Sequence, residues 1–153
     1  MMILEQGQGP HFDILLLEDE PADANLVRIA LKENRICCRL HHVLDGVEGL
    51  EFLRRQGNCP DVPRPDLILL DINMPRMNGH EFLGVIKADP QLKSIPVVVL
   101  TTSDVHRDVE ASYELGAAGY ITKPVDFVQF ASAINQLGNY WFALVRLPLE
   151  SDQ

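Results

Sequence analysis

The sequence is short of basic residues. It has 13 Lys and Arg against 22 Asp and Glu, which gives a formal net charge of −9. Its longest basic cluster is the pair Arg54–Arg55. Because a chain this acidic repels phosphate backbones, we expect it to bind no nucleic acid directly.

Cysteines are also few, and long apolar runs are absent. Cys37 and Cys38 are adjacent, Cys59 stands alone, and no CxxC or Cys/His ligand spacing is present. This favours reduced thiols in the cytoplasm over a zinc site or a secreted disulfide framework. The longest uncharged stretch, Phe127–Val145, contains Gln, Asn and Ser residues that are costly in hydrocarbon, so we predict no membrane span.

Five short segments with the character of strands alternate with segments of helical period. The strand segments are Ile14–Leu17, Arg39–Leu44, Leu67–Leu70, Val97–Leu100 and Gly119–Thr122. Runs that are apolar throughout are typical of strands buried on both faces, and their alternation with helices indicates a parallel sheet. We therefore predict one doubly wound α/β domain over residues 12–146, with a flexible N-terminus (1–11) and a C-terminal tail (147–153).

Reactive side chains follow four of these five strand segments. Glu18 and Asp19 come after the first, Asp71 after the third, Thr101 after the fourth and Lys123 after the fifth. Ligands of open parallel sheets bind beyond the carboxyl ends of the strands. We therefore expect three carboxylates, a hydroxyl and an ammonium to share one edge of the sheet.

This set of side chains suits phosphoryl transfer. Clustered carboxylates raise one another's pKa unless a cation lies among them, and oxygen ligands without His or Cys favour Mg²⁺. A carboxylate can attack phosphorus and form an aspartyl phosphate. The metal and Lys123 would neutralise the oxygens of the transferred group, and Thr101 would donate a hydrogen bond to one of them.

These motifs resemble the receiver domains of bacterial response regulators. The resemblance covers about residues 12–138 and rests on Glu18-Asp19, on the segment DINMPRMNG that starts at Asp71, on Thr101 after VVVL and on Lys123-Pro124. The spacings between Asp71, Thr101 and Lys123 also match. The resemblance implies a flavodoxin-like receiver fold, with a five-stranded parallel sheet in the strand order 2-1-3-4-5.

The resemblance implies a phosphoacceptor with a metal site beside it. Asp71 would accept the phosphoryl group from a histidine kinase, and Glu18, Asp19, Asp71 and the backbone carbonyl of Asn73 would bind Mg²⁺. The chain would be a single-domain regulator and not an enzyme, apart from slow self-dephosphorylation. It departs from the common pattern at Glu18, where Asp is more usual.

The resemblance also implies a switch. Thr101 and Lys123 would contact the phosphoryl group, Tyr120 would be the switch aromatic, and Pro124 would form the turn after Lys123. Phosphorylation would then change the face formed by the fourth helix, the fifth strand and the fifth helix. Thr102 stands where many receivers place alanine, which would narrow access to the phosphoryl group.

A narrower likeness concerns the partner kinase. The segment Asp19–Asn25, the segment Ser94–Pro96 and the tail Val145–Pro148 resemble single-domain regulators that pair with bacterial phytochrome kinases. This likeness implies a bacterial phytochrome as the cognate histidine kinase.

The uncharged segment Phe127–Val145 has the composition of an interface. Its apolar residues follow a 3-4 helical spacing, whereas its other face offers only amides, Ser and Gly, and charge depletion with aromatic enrichment is typical of interface cores. The predicted homodimer interface consists of Phe127, Phe130, Ile134, Leu137, Trp141 and Leu144. The alternative is that this stripe only covers the sheet and that the amides are solvated.

Three other functions fit parts of the sequence. A phosphotransfer enzyme with an Asp nucleophile, of the haloacid dehalogenase type, needs a second Asp where this chain has Asn73. A flavodoxin-like cofactor carrier needs a phosphate cradle where this chain has an acidic turn. A phosphorylation-independent interaction module would not need the complete set of site residues.

Overall fold

The computed structural model describes residues 2–3, 13–33, 39–55, 62–101 and 106–122 of the 153-residue chain. These ranges contain six strands and four helices. In chain order they are β1 (Met2–Ile3), β2 (Asp13–Leu17), α1 (Pro21–Glu33), β3 (Arg39–Val43), α2 (Gly46–Leu53), β4 (Leu67–Leu70), α3 (Gly79–Ala88), β5 (Val97–Thr101), α4 (His106–Glu114) and β6 (Gly119–Thr122).

The strands form one sheet in the order β1-β3-β2-β4-β5-β6. The pairs β2–β3, β2–β4, β4–β5 and β5–β6 are parallel. The five predicted strands are β2 to β6, and when they are renumbered from 1 to 5 their order is 2-1-3-4-5. The predicted fold class is confirmed. The strand order reverses at β2, because the next two strands along the chain, β3 and β4, lie on opposite sides of it. Sheets of this kind bind ligands at such a switch point.

The edge strand β1 was not predicted. Met2 and Ile3 pair antiparallel with Leu40 and Arg39 at the outer edge of β3, within residues 1–11, for which the sequence predicts a flexible N-terminus. Two residues are too few to show an alternating or continuous apolar pattern, so the sequence carries no strand signal there.

The hydrophobic core lies on both faces of the central strands. Every residue of β2 and β4 is buried, which explains why β4 and the residues of β2 after Asp13 are apolar on both faces. Phe82 and Ile86 of α3 are fully buried against them. The helix α3 begins with a capping box, because Asn78 Oδ1 accepts from the Glu81 amide at 2.9 Å and Glu81 Oε1 accepts from the Asn78 amide at 3.0 Å.

A polar cluster lies at the amino end of β2, opposite the predicted site. The buried carboxylate of Asp13 pairs with Arg39, with 3.0 Å between Arg39 Nη2 and Asp13 Oδ2, and lies 3.0 Å from His41 Nε2. The Asp13 amide donates to Asp66 Oδ2 at 2.8 Å. These partners compensate the cost of burying the Asp13 charge among apolar strands.

Candidate metal centre

Three acidic side chains meet at the carboxyl edge of the sheet. Glu18 and Asp19 follow β2 and Asp71 follows β4, and one carboxylate oxygen from each lies within 4.8 Å of the other two. Glu18 and Asp71 are buried, and Asp19 is exposed. The structure thus brings together these three of the predicted site residues. An arrangement of hard oxygen donors with one side open to solvent fits a divalent cation that keeps part of its water shell.

Backbone pairing fixes the positions of these acids. In the β2–β4 register Leu17 lies opposite Leu70, and the Asp71 amide donates to the Leu17 carbonyl at 3.1 Å. On the other side of β2, the Glu18 amide donates to the Val43 carbonyl at 3.0 Å. Glu18 and Asp71 therefore extend the hydrogen-bonding pattern of the sheet by one residue beyond β2 and β4.

Further hydrogen bonds hold the acids from outside the sheet. The Asn73 amide donates to Asp71 Oδ1 and the Glu20 amide donates to Glu18 Oε2, each at 3.3 Å. His42 Nε2 lies 2.7 Å from the main-chain oxygen of Glu18. A carbonyl oxygen can only accept, so this ring nitrogen carries the proton.

Gly79 brings the first turn of α3 against the backbone of Asp71. Its amide donates to the Ile72 carbonyl at 2.8 Å. A Cβ atom at position 79 would lie 2.6 Å from the Ile72 Cα atom and closer still to the Asp71 carbonyl oxygen. Only glycine allows this approach, so the helix and the Asp71 segment are packed backbone to backbone.

The structure gives the backbone positions of two predicted switch residues, Thr101 and Tyr120. Thr101 is the last residue of β5 and pairs with Thr122, and Tyr120 in β6 pairs with Val99. The side chains of Thr101 and Tyr120 lie outside the described residues. Lys123, Pro124 and the six residues predicted for the dimer interface lie outside them as well.

One ion pair at this edge of the sheet was not predicted from the sequence. Arg76, in the loop between β4 and α3, lies with Nε 2.7 Å from Asp45 Oδ2 and Nη2 3.1 Å from Asp45 Oδ1. Asp45 follows β3 at the same edge of the sheet, so an inspection of every strand end would have found the carboxylate. No signal in the sequence identifies Arg76 as its partner.

The fold and the acid cluster together define a receiver domain. A family model described as the response regulator receiver domain matches residues 14–135. The chain therefore belongs to the response regulator receiver family, whose members act as phosphoacceptors in two-component signalling.

Individual relatives support this assignment. The chain is 44% identical over 145 residues to response regulator Rcp1 of Synechocystis sp., and the match covers 95% of this chain and 99% of that protein. The crystal structure of the Mn(2+)-bound form of Rcp1 matches with a TM-score of 0.79 and 44% identity, over 85% of this chain and 94% of that one. The phosphorylated cyanobacterial phytochrome response regulator RcpA matches with a TM-score of 0.83 and 40% identity, over 88% and 96%.

The four described helices are short. Within the ranges that the structure describes, no helix has both the length and the apolar character that a membrane span requires.

Proposed function

We propose that this chain is a single-domain response regulator that accepts a phosphoryl group on Asp71 from a histidine kinase. The observation that carries the proposal is the acid cluster, in which Glu18 and Asp19 bring their carboxylate oxygens within 4.8 Å of Asp71. Asp71 also follows the central strand β4, at the sheet edge where ligands of this fold bind.

Glu18, Asp19, Asp71 and the backbone carbonyl of Asn73 would bind Mg²⁺. The bound ion would supply positive charge to the oxygens of the incoming phosphoryl group. Support comes from the donor set, because the three carboxylates offer oxygen atoms and no His or Cys completes the cluster among the described residues. The solvent-exposed position of Asp19 leaves room for water ligands and phosphoryl oxygens.

The transfer needs one carboxylate nucleophile. An Asp71 carboxylate oxygen attacks phosphorus, forming an O–P bond as the N–P bond of the kinase phosphohistidine breaks, and the imidazole leaves with the electron pair and takes up a proton. The Lys123 ammonium would pair with one phosphoryl oxygen and the Thr101 hydroxyl would donate to another. Because the chain itself receives the group, it acts as a phosphoacceptor, and attack by water on the same phosphorus gives slow self-dephosphorylation.

The phosphoryl group would then act on the surface of the domain. Thr101 and Tyr120 lie on the neighbouring strands β5 and β6, so a movement of the Thr101 hydroxyl would be passed to Tyr120 and to the face that includes α4. We place the homodimer on the segment beyond β6, through the interface residues predicted there from Phe127 to Leu144.

The names of two relatives indicate the partner. RcpA is a cyanobacterial phytochrome response regulator, and RtBRR, with 41% identity and a TM-score of 0.73, is a bacteriophytochrome response regulator. We therefore propose a bacterial phytochrome histidine kinase as the partner. We propose the cytoplasm as the location because the cysteine pattern favours reduced thiols.

Labelling with acetyl phosphate tests the phosphoacceptor. The parent chain should gain one phosphoryl group by intact mass only when Mg²⁺ is present, and Asp71→Asn should gain none. The matched control is Asp66→Asn, which removes a carboxylate at the opposite end of the sheet and keeps an acceptor for the Asp13 amide. Stoichiometric labelling of Asp71→Asn would refute the proposal.

A further inference from the structure

The loop between β4 and α3 contains a strained turn at Arg76. Its φ is 61°, and the carbonyl of Pro75 accepts a hydrogen bond from the Met77 amide at 2.7 Å. A hydrogen bond from residue i to i+2 across a residue of positive φ is the rarer form of the γ-turn, which is strained. A residue with a Cβ atom adopts such a φ only when its surroundings hold it there.

The carboxylate of Asp45 binds Arg76 in this conformation. Nε and Nη2 of Arg76 bind the two oxygens of Asp45 at 2.7 and 3.1 Å, a bidentate geometry in which both hydrogen bonds are charge-assisted. The Asp45 side chain is only 5% exposed, whereas that of Arg76 is 56% exposed. Asp45 also caps α2, because Oδ1 accepts from the Glu48 amide at 2.9 Å. The carboxylate is therefore fixed to a helix, and the arginine reaches to it from the loop.

The ionisation of this pair is consistent with its geometry. Burial raises the pKa of the Asp45 carboxyl, but the hydrogen bond from Arg76, the Glu48 amide and the Arg76 charge outweigh it and leave the pKa below its ordinary value. The hydrogen bond to Asp45 raises the pKa of Arg76 above its ordinary value. Both groups are therefore charged over the whole physiological range of pH.

A second contact joins the loop to the start of α2. The Gly46 amide donates to the Met77 carbonyl at 3.2 Å, and a Cβ atom at position 46 would lie 2.7 Å from Met77 Cγ. The turn is thus attached to Asp45 through the Arg76 side chain and to Gly46 through the main chain. Both attachments are to the start of α2, at its N-cap and its first residue, and not to the loop itself.

The same loop begins at the acid cluster. Asn73 lies three residues before Arg76, and its amide donates to Asp71 Oδ1 at 3.3 Å. We propose that Asp45 and Arg76 are positioning residues for the metal site, which hold the loop so that the Asn73 main chain stays against the Asp71 carboxylate. This inference rests on the proposed function of the acid cluster. Both residues act through the loop, and neither belongs to the cluster.

Metal affinity of loop variants tests the proposal. Arg76→Ala removes the bidentate pair and keeps a Cβ atom that disfavours positive φ, so Mg²⁺ should bind about 10-fold more weakly, as for other residues that support metal ligands. Arg76→Gly also removes the pair but adopts the turn freely, so its affinity should lie between those of the parent and Arg76→Ala. Titration with MgCl₂, followed by NMR at the Asn73 amide, gives each dissociation constant.

A matched control and a second readout exclude a purely structural effect. Arg54→Ala removes a different arginine–aspartate pair, the single contact of Arg54 Nη2 with Asp89 Oδ2 at 3.6 Å, and should leave the Mg²⁺ affinity unchanged. Amide hydrogen exchange of the metal-free proteins should be faster at Asn73 and Met77 in Arg76→Ala than in the parent. A role in stability alone would lower the midpoint of unfolding without changing the dissociation constant.

The outcomes distinguish this inference from the proposed function. If the parent chain binds no Mg²⁺, the proposed metal site and the positioning pair are both wrong. If the parent binds Mg²⁺ and Asp71→Asn does not, the site stands, and Arg76→Ala or Arg76→Gly with parental affinity would overturn the positioning pair. The glycine variant decides the matter even if the alanine variant fails to fold.

Discussion

Replacing Gly79 by alanine should disable the phosphoacceptor through one added methyl group. The new Cβ atom would lie 2.6 Å from the Ile72 Cα atom, whereas ordinary van der Waals contact begins at 3.4 Å. This separation must grow by 0.4 Å to reach 3.0 Å, below which Cβ atoms are essentially never found, and by 0.8 Å to reach ordinary contact. The obstructing atoms are backbone atoms of Asp71 and Ile72, so no side-chain rotation relieves the contact.

The expected effect on phosphorylation depends on which segment of backbone moves. Either α3 shifts away from the loop, which weakens the packing of Phe82 and Ile86 in the core, or the backbone of Asp71 and Ile72 shifts away from the acid cluster. A displacement of about 1 Å of a reacting group costs about 100-fold in rate. We therefore expect phosphorylation of Gly79→Ala by acetyl phosphate to be slower, by up to about that factor when the whole displacement falls on Asp71.

Gly84→Ala is the matched control because it makes the same change in the same helix. The nearest atom to a Cβ at position 84 is Leu115 Cδ2, at 3.9 Å. Alanine is favoured over glycine in a helix interior by about 1 kcal/mol, so this variant should be slightly more stable than the parent and should accept phosphate at the parental rate.

The assay combines a rate with a stability. Phosphate incorporation over time is measured by intact mass at fixed Mg²⁺ and acetyl phosphate, and urea unfolding gives the stability of each variant. Equal rates for Gly79→Ala and Gly84→Ala, in folded proteins, would refute the argument that the α3 backbone positions Asp71.

Three more predictions concern other parts of the mechanism. Lys123→Ala should still bind Mg²⁺ but lose the spectral change that beryllofluoride causes in the parent, because the ammonium that pairs with the phosphoryl mimic is gone; a parental response measured by NMR would remove Lys123 from the switch. Trp141→Glu should sediment as a monomer at concentrations where the parent is a dimer, since it places a charge in an apolar interface; equal dimerisation would contradict the predicted interface. Asp45→Asn should lower the free energy of unfolding at pH 7 and approach the parent in acid. Folding lowers the pKa of the Asp45 carboxyl. The stability that the ionised carboxylate contributes is therefore complete above about pH 4 and is lost as the pH falls through the folded-state pKa. A difference in unfolding free energy between parent and variant that stays constant with pH, measured by urea unfolding, would contradict this.

The acid cluster could be predicted because its position depends on the strands alone. Glu18, Asp19 and Asp71 directly follow continuous apolar runs, and parallel strands bring their carboxyl ends to one edge. The order of the strands required the family resemblance, since runs that are buried on both faces carry no information about their neighbours.

The Asp45–Arg76 pair could not be predicted because it depends on backbone geometry that the sequence does not mark. The two residues are 31 positions apart in different connections. Their meeting requires positive φ at Arg76, a conformation normally signalled by Gly or Asn and not by Arg. The strand β1 was missed for a different reason, because its two residues are too short for any pattern.

The polar cluster around Asp13 has a consequence for the alignment of the strands. Since β2 is buried on both faces and apolar after Asp13, hydrophobic burial alone would tolerate a slip of β2 along its neighbours. In the observed register Asp13 lies opposite Arg39, and the two side chains pair. A slip by one residue would leave a buried carboxylate without its cation and would move Glu18 by roughly 3.3 Å relative to Asp71. The Asp13–Arg39 pair holds β2 in register with β3, and the hydrogen bond from the Asp13 amide to Asp66 Oδ2, directly before β4, holds it in register with β4. Contacts at one end of β2 therefore help to set the distance between the acids at its other end.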